Sequence, residues 1–443
     1  MKKKFISFVV VILIVATTSL FATGQAEESS ATVSKDPVQI IWLKKGGLGS
    51  TNARIEILKE TQPELMARVE ILPQSGDPHS IANNLRLALA SGTEVPDVIK
   101  LSKTQLIEFV KAGVVLDITD RMKTIEDQLF PAAYDLGFVE GRAYGIANQV
   151  KTKIWYYRKD IFDEMGLDVK DIKNTDDFIA AGLKIQTKYP KANMWNFGTS
   201  IGHYNLHMIT SGNGARYYDK NGEYIVASDP GTRQAFVDMK KMQDAGIIAD
   251  VSDWTPDWEQ AFRDEEIVST LQSSWFHGRP GGGYLQKWIP EQAGKWAVAL
   301  WPNIAGGAGG AGSESGGGVY AIMKDSKYAD IAFEVLTALT TDPDTTYKLQ
   351  AARGVDAVNY AAFEKYPELS DPLPFYSNNY WEVEAEALKV YKELPSDANG
   401  AKEHIIMNEF LQEWLLGAYD TVDECLAAAE SELKNQIGNA FEF

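Results

Sequence analysis

Tyr144-Gly-Ile-Ala-Asn-Gln-Val-Lys-Thr-Lys-Ile-Trp-Tyr-Tyr-Arg-Lys-Asp160 is the stretch on which the fold turns. An apolar entry, a polar middle of amides and turn formers, and an aromatic run ending in charge suit a strand that leaves one packed body and enters another. We read it as a hinge crossing. The residues before it read as one α/β lobe and those after it as a second, with a return to the first near Gly316. A two-lobed cleft is the expectation.

Outward from the crossing, strand and helix patterns alternate. Val38 to Leu43, Met66 to Leu72 and Asp97 to Leu101 read as strands, with helices at Asn52 to Lys59, His79 to Ala90 and Thr104 to Lys111. That alternation implies a mostly parallel sheet. Beyond the crossing, Thr175 to Lys188 reads as a helix capped by Thr175, Ile267 to Leu271 as a buried strand ending at Ser273-Ser274-Trp275, and Trp296 to Trp301 as another. Gly306 to Gly318 is a glycine-dominated tract that is either loose or lets backbone approach something closely. Val319 to Met323 is a strand, Tyr328 to Thr340 a helix, and Trp381 to Lys392 and Glu403 to Asn435 are closing helices.

At 443 residues the chain exceeds what one hydrophobic core supports, so two domains are expected. A formal charge of −18 opposes nucleic acid and anionic lipid as partners. Lys2, Lys3 and Lys4, the apolar run from Phe5, and small residues at Ala22, Gly24 and Ala26 read as an export signal over 1–26. The apolar run is short of the ~20 residues of a spanning helix, so stable membrane insertion is not expected. The one cysteine is Cys425. It offers neither an internal disulfide nor a lipid attachment point behind the leader.

Catalytic patterns are weak. The Gly46 to Thr51 loop has the look of a phosphate cradle but lacks P-loop and dinucleotide spacing. His203 and His207 share a helix face without the acidic residue of the zinc-protease pattern. Gly312-Ser313-Glu314-Ser315-Gly316 puts Glu where a nucleophile elbow needs Ser. No cofactor, no metal and no enzymatic activity are expected. Aromatics at element ends are more informative, because a sugar presents an apolar C–H face to a ring and hydroxyls to a polar rim. Trp42, Trp275, Tyr204 and Trp381 occupy such ends, whereas Trp155 in the crossing reads as core. Lys44, Lys45, Lys151, Lys153, Arg279 and Arg353 lie near the same ends and suit an anionic ligand.

An export leader, Leu87-Ala-Leu-Ala-Ser-Gly-Thr-Glu-Val-Pro-Asp-Val-Ile99, Tyr144-Gly-Ile-Ala147, Tyr156-Tyr-Arg-Lys-Asp-Ile-Phe162 and Gly316-Gly-Gly-Val-Tyr-Ala-Ile322 occur in that order. With them the chain resembles the extracellular sugar-binding proteins of ABC importers, the maltose/oligosaccharide-binding superfamily, over nearly its whole mature length. The resemblance implies an α/β, two-lobed periplasmic-binding-protein fold, each lobe a mostly parallel sheet flanked by helices and joined by hinge crossings. It divides the chain into 37–148 plus 303–352 for lobe 1 and 152–300 plus 355–443 for lobe 2.

It further implies hinge closure around a carbohydrate and delivery to a membrane permease by a periplasmic monomer. Trp275, Tyr204 and Trp381 fall on stacking aromatics of the family, and Gly317 and Gly318 on a backbone loop facing the cleft. With Trp42, Lys44, Lys151 and Arg353 these make the expected ligand site. Where the maltose-binding branch has a stacking Trp and an acid just after the Pro-Asp strand, and acids in the hinge strand and beside the lobe-two aromatic, this chain has Leu101, Thr104, Lys151 and Gly202. Lys151 raises an acidic sugar such as a uronate oligosaccharide. An exported polysaccharide hydrolase and a ligand sensor for a chemoreceptor are the alternative functions.

Overall fold

Two main sheets carry the architecture, and they are built differently. In the computed structural model, which describes residues 37–45, 48–76, 81–197, 203–277, 283–300, 318–353, 358–389 and 396–441, the main strands are β1 (Val38–Lys45), β2 (Val69–Gly76), β3 (Val98–Leu101), β4 (Ile146–Gln149), β5 (Lys153–Arg158), β6 (Ser269–Ser273), β7 (Trp296–Leu300) and β8 (Gly318–Ile322). The expected leader, Gly46 and Gly47, Arg279, and all of the glycine tract except Gly318 lie outside the described residues.

The first sheet runs β2-β1-β3-β8-β4. β1 pairs in parallel with β2 and β3, while β8 is antiparallel to both of its neighbours, β3 and β4. Helices Leu48–Thr61 and Ile81–Ser91 supply the crossovers of the parallel part, as parallel pairing requires. The short helix after β3 starts with a reciprocal cap. Ser102 Oγ accepts from the Gln105 backbone N–H at 3.3 Å, and Gln105 Oε1 accepts from the Ser102 N–H at 3.0 Å.

The second sheet is β6-β5-β7 and is antiparallel throughout. The α/β class stands, but this lobe departs from the mostly parallel pairing expected. Parallel pairing there, among the described residues, is the two-residue pairing of Trp195-Asn196 with Ile248-Ala249 and the single bridges Asn193–Ile267 and Trp296–Tyr376. Every residue of the central strand β5, Lys-Ile-Trp-Tyr-Tyr-Arg, is buried. Its two charges therefore need internal partners. Arg158 grips both Asp160 carboxylate oxygens at 2.8 Å and reaches Glu265 at 3.0 Å. Lys153 Nζ donates to the Met208 carbonyl at 2.5 Å and to the Ser211 hydroxyl.

β4 and β5 belong to different sheets and are separated by Val150, Lys151 and Thr152 alone. The opening stretch therefore passes from one sheet to the other at those three residues. The apolar interior divides accordingly. One cluster gathers Ile40, Trp42, Ile99, Ile146, Tyr320 and Leu336. A second gathers Trp155, Phe178, Phe236, Leu271 and Leu411, and a third, around Trp258, Phe276 and Trp296, lies across the second sheet.

Two local readings change. Helix Thr175–Gln186 is capped by Asn174, whose side chain accepts from the Asp177 N–H at 2.9 Å, because Thr175 is already buried in the first turn. The expected closing helix is two, Gly400–Leu415 and Val422–Gln436, separated at Gly417, whose φ is +79°. Val358 packs in the first cluster, and Asn359 donates to the Thr340 carbonyl at 2.9 Å and the Thr346 hydroxyl at 3.1 Å. Residues just past 355 thus pack with the first sheet, and the chain rejoins the third cluster at Leu373 to Phe375.

Candidate functional site

The last ladder pair between β5 and β6 is Lys153 with Ser273. One step further, the Ser274 N–H donates to the Thr152 carbonyl at 2.9 Å, and the Thr152 N–H reaches the Ser274 hydroxyl at 3.3 Å. After Ser273 the chain leaves the sheet in a 3-10 turn, Ser274–His277. Lys151 and Trp275 flank this closing pair. Pairing geometry brings them together, and the Lys151 ammonium stands 6.0 Å from the centre of the Trp275 ring, within cation–π range.

Trp254 stacks on Trp275, ring centres 5.2 Å apart and planes 29° from parallel. Tyr284 meets both edge-on, at 5.3 Å and 5.7 Å. Beneath them Trp258 is fully buried, and its indole N–H donates to Asn196 Oδ1 at 2.9 Å. Asn196 in turn donates to Asp253 Oδ1 at 2.7 Å. Burial pushes the Asp253 carboxyl up to about 6, against the hydrogen bonds from Asn196 and Gln272 that favour its charged form. Trp254 is half exposed, at 50%, and holds φ at +67°. A bulky residue in the left-handed region is a strained conformation of the kind that gathers at functional sites.

A second aromatic group adjoins the first. His277, buried, stacks on Tyr380 with centres 4.2 Å apart, and Trp381 stands edge-on to both. Burial lowers the His277 pKa, which favours the neutral ring. The Trp381 indole N–H donates to the Asp371 carbonyl at 3.0 Å.

Other expected site residues are placed elsewhere. Trp42 is 1% exposed, edge-on to Tyr320 at 4.9 Å, and presents no open face. It lies inside the β1 ladder and projects into the first apolar cluster, which covers it. Lys153 points into the second lobe. Gly318 is buried in β8, where a Cβ would come within 3.1 Å of Lys100 Cε and 3.3 Å of the Leu101 carbonyl oxygen. Its role is close strand packing. Gly317 and the side chains of Lys44, Lys45, Tyr204 and Arg353 lie outside the described residues. His207 meets His404 edge-on at 5.0 Å. Among the described residues no group of three or more His, Cys, Asp or Glu is placed to hold a metal ion.

Sequence reasoning missed Trp254, Tyr284 and Asp253. A signal existed in Asp253-Trp-Thr-Pro256, where an aromatic directly precedes a helix start capped by the Thr255 side chain. A flat indole pair bounded by an ammonium and a carboxyl suits a ring with one apolar face and a hydroxyl rim.

The sequence family described as bacterial extracellular solute-binding protein matches residues 68–346, more than half of the chain. The arabinooligosaccharide-binding protein of Halalkalibacterium halodurans is 24% identical over 370 residues, 80% of this chain and 79% of that protein. The lactose-binding protein of Rhizobium radiobacter is 24% identical over 283 residues, 62% of this chain and 64% of that protein. Among solved structures, the sugar-binding protein MalE of Xanthomonas citri aligns with a TM-score of 0.75 at 17% identity, over 90% of this chain and 97% of that one. The galacto-N-biose-/lacto-N-biose I-binding protein of Bifidobacterium longum aligns at 0.73 and 18%, over 93% and 100%.

Proposed function

This chain belongs to the bacterial extracellular solute-binding proteins, and from that premise we propose that it binds an oligosaccharide between its two lobes and delivers it to an ABC importer permease. The observation that carries the reading is the half-exposed Trp254 stacked on Trp275, beside the three-residue crossing between the sheets. A ligand held there touches the segment about which the lobes turn, so binding and closure are coupled. Lobe 1 comprises 37–148 and 303 to about Ser370, and lobe 2 comprises 152–300 and the remainder from Leu373. The packing of Val358 and Asn359 supports moving that last boundary past 355.

Members of this family are binding proteins, which supports a binding role over a catalytic one. The working form is an exported monomer free of its leader. Among the described residues no helix is long and apolar enough to cross a membrane. The named relatives bind arabinooligosaccharides and lactose, which supports a neutral ligand. Lys151 beside Trp275 supports a second reading, an acidic oligosaccharide.

Titration calorimetry of residues 27–443 with arabino-oligosaccharides, lactose and oligogalacturonates decides between them. Binding of any of these establishes the class, and the favoured one names the ligand. No heat with any carbohydrate, or glycan turnover, removes the proposal.

A further inference from the structure

Thr152 and Ser274, the pair that presents Lys151 and Trp275, are also held from a third direction. Glu384 lies on the helix Tyr380–Lys389 and is buried, at 6% exposure. Its Oε2 accepts from the Thr152 hydroxyl at 2.7 Å. The same oxygen lies 3.1 Å from the Tyr380 hydroxyl, which in turn lies 3.1 Å from the Ser274 carbonyl oxygen. One carboxylate therefore touches the crossing directly, and stands beside the Tyr380 hydroxyl, whose single proton is shared between this oxygen and the Ser274 carbonyl just past β6. A buried carboxylate is unfavourable unless hydrogen bonds satisfy it. The two hydroxyls beside it belong to Thr152, next to Lys151 in the crossing, and to Tyr380, which also faces the Ser274 carbonyl next to Trp275.

We propose that Glu384 is a positioning residue that, through Thr152 and Tyr380, holds the Lys151–Trp275 edge in its binding geometry. The proposal deepens the oligosaccharide reading and rests on it for the ligand, though not for the geometry. With the carboxylate in place, the edge is ordered before ligand arrives. Without it, the ligand must order two strand ends on binding, and affinity falls by the entropy of doing so. His277 and Trp381 pack on Tyr380, so the same brace reaches the second aromatic group.

The test compares Glu384→Ala, Glu384→Gln and Tyr380→Phe with the parent. Glu108→Gln serves as a control, since Glu108 is a buried carboxylate of the first lobe held by Arg86 at 2.6 Å and 2.7 Å. Affinity for arabino-oligosaccharides and oligogalacturonates is read by calorimetry. The circular dichroism couplet of the stacked Trp254–Trp275 pair is read without ligand.

Glu384→Ala is expected to weaken binding about 10- to 100-fold and to diminish the couplet. Glu384→Gln, which keeps an acceptor oxygen, restores both to within about threefold of the parent. Glu108→Gln leaves affinity unchanged whatever it does to the melting temperature. Affinity and couplet unchanged in Glu384→Ala, or Glu384→Gln no better than Glu384→Ala, overturns the proposal. Should Glu384→Ala fail to fold, the Glu384→Gln and Tyr380→Phe pair decides, with Tyr380→Phe expected to be the worse binder. Should the parent bind none of these sugars, the oligosaccharide reading falls, and the ligand-free couplet alone judges the role of Glu384.

Discussion

Trp42 and Trp275 stand near the C-terminal ends of β1 and β6, one in the core and the other in the proposed site. Trp42 still lies within its ladder, opposite Pro73 on one side and Val98 on the other. Trp275 lies two residues past the last paired residue, in a 3-10 turn. Within the ladder a sheet and its helices close over an indole. Past the ladder the indole is offered to whatever lies at the sheet's edge. Three residues inside the ladder for Trp42 and two residues past it for Trp275 separate a core tryptophan from the proposed ligand platform.

The widest contrast comes from deleting each ring. Trp42→Ala removes a fully packed indole and is expected to cost about 3–5 kcal/mol of stability, measured by urea unfolding. Comparable losses from Trp275→Ala would break the comparison. Next in size, Trp275→Ala and Trp254→Ala are expected to weaken sugar binding by about 10- to 100-fold, equivalent to ~1.4–2.7 kcal/mol, with stability changed much less. Calorimetry beside the urea curves separates the two effects, and intact binding in both variants would return Trp275 to the core.

A titrating neighbour sharpens the comparison further. Asp253 sits beside Trp254 with its carboxyl raised from 3.8 to about 6 by burial. Between those values the folded state keeps a proton that the unfolded chain has released. This contribution to stability is therefore full below about 4, falls as pH rises towards 6, and is flat above. Asp253→Asn should shrink the decline in melting temperature between pH 4 and pH 6, and an undiminished decline would place the titration elsewhere. The smallest effect is backbone strain. Trp254→Gly relieves the φ of +67° while losing ring contacts, and a net stability change below about 1 kcal/mol is expected. A large loss would mean that Trp254 packs as core, as Trp42 does.

Much of the architecture was legible because alternation of strand and helix patterns, and the apolar-polar-aromatic order of 144–160, are local. Strand direction in the second sheet was not, since β5 reads the same whether its partners run with it or against it. The site was half legible. Lys151 and Trp275 announce themselves beside turn residues, but that they meet depends on the Thr152–Ser274 pairing, which joins positions far apart in sequence. Trp42 misled because its local pattern ends where its ladder does not. Glu384 and Asp253 are two acids among 61 Asp and Glu. What singles them out is their partners, Thr152 and Tyr380 for Glu384 and Asn196 for Asp253, which only the assembled fold brings to them.

The order of the first sheet sets a sequence of events in time. β8 lies between β3 and β4, so β4 has no neighbour in that sheet until Gly318–Ile322 has been made. The second sheet has all three of its strands once Leu300 is synthesised. A chain emerging from the ribosome can therefore complete its second sheet while the earlier-made first sheet still has a gap. The sheet begun first is therefore the sheet finished last.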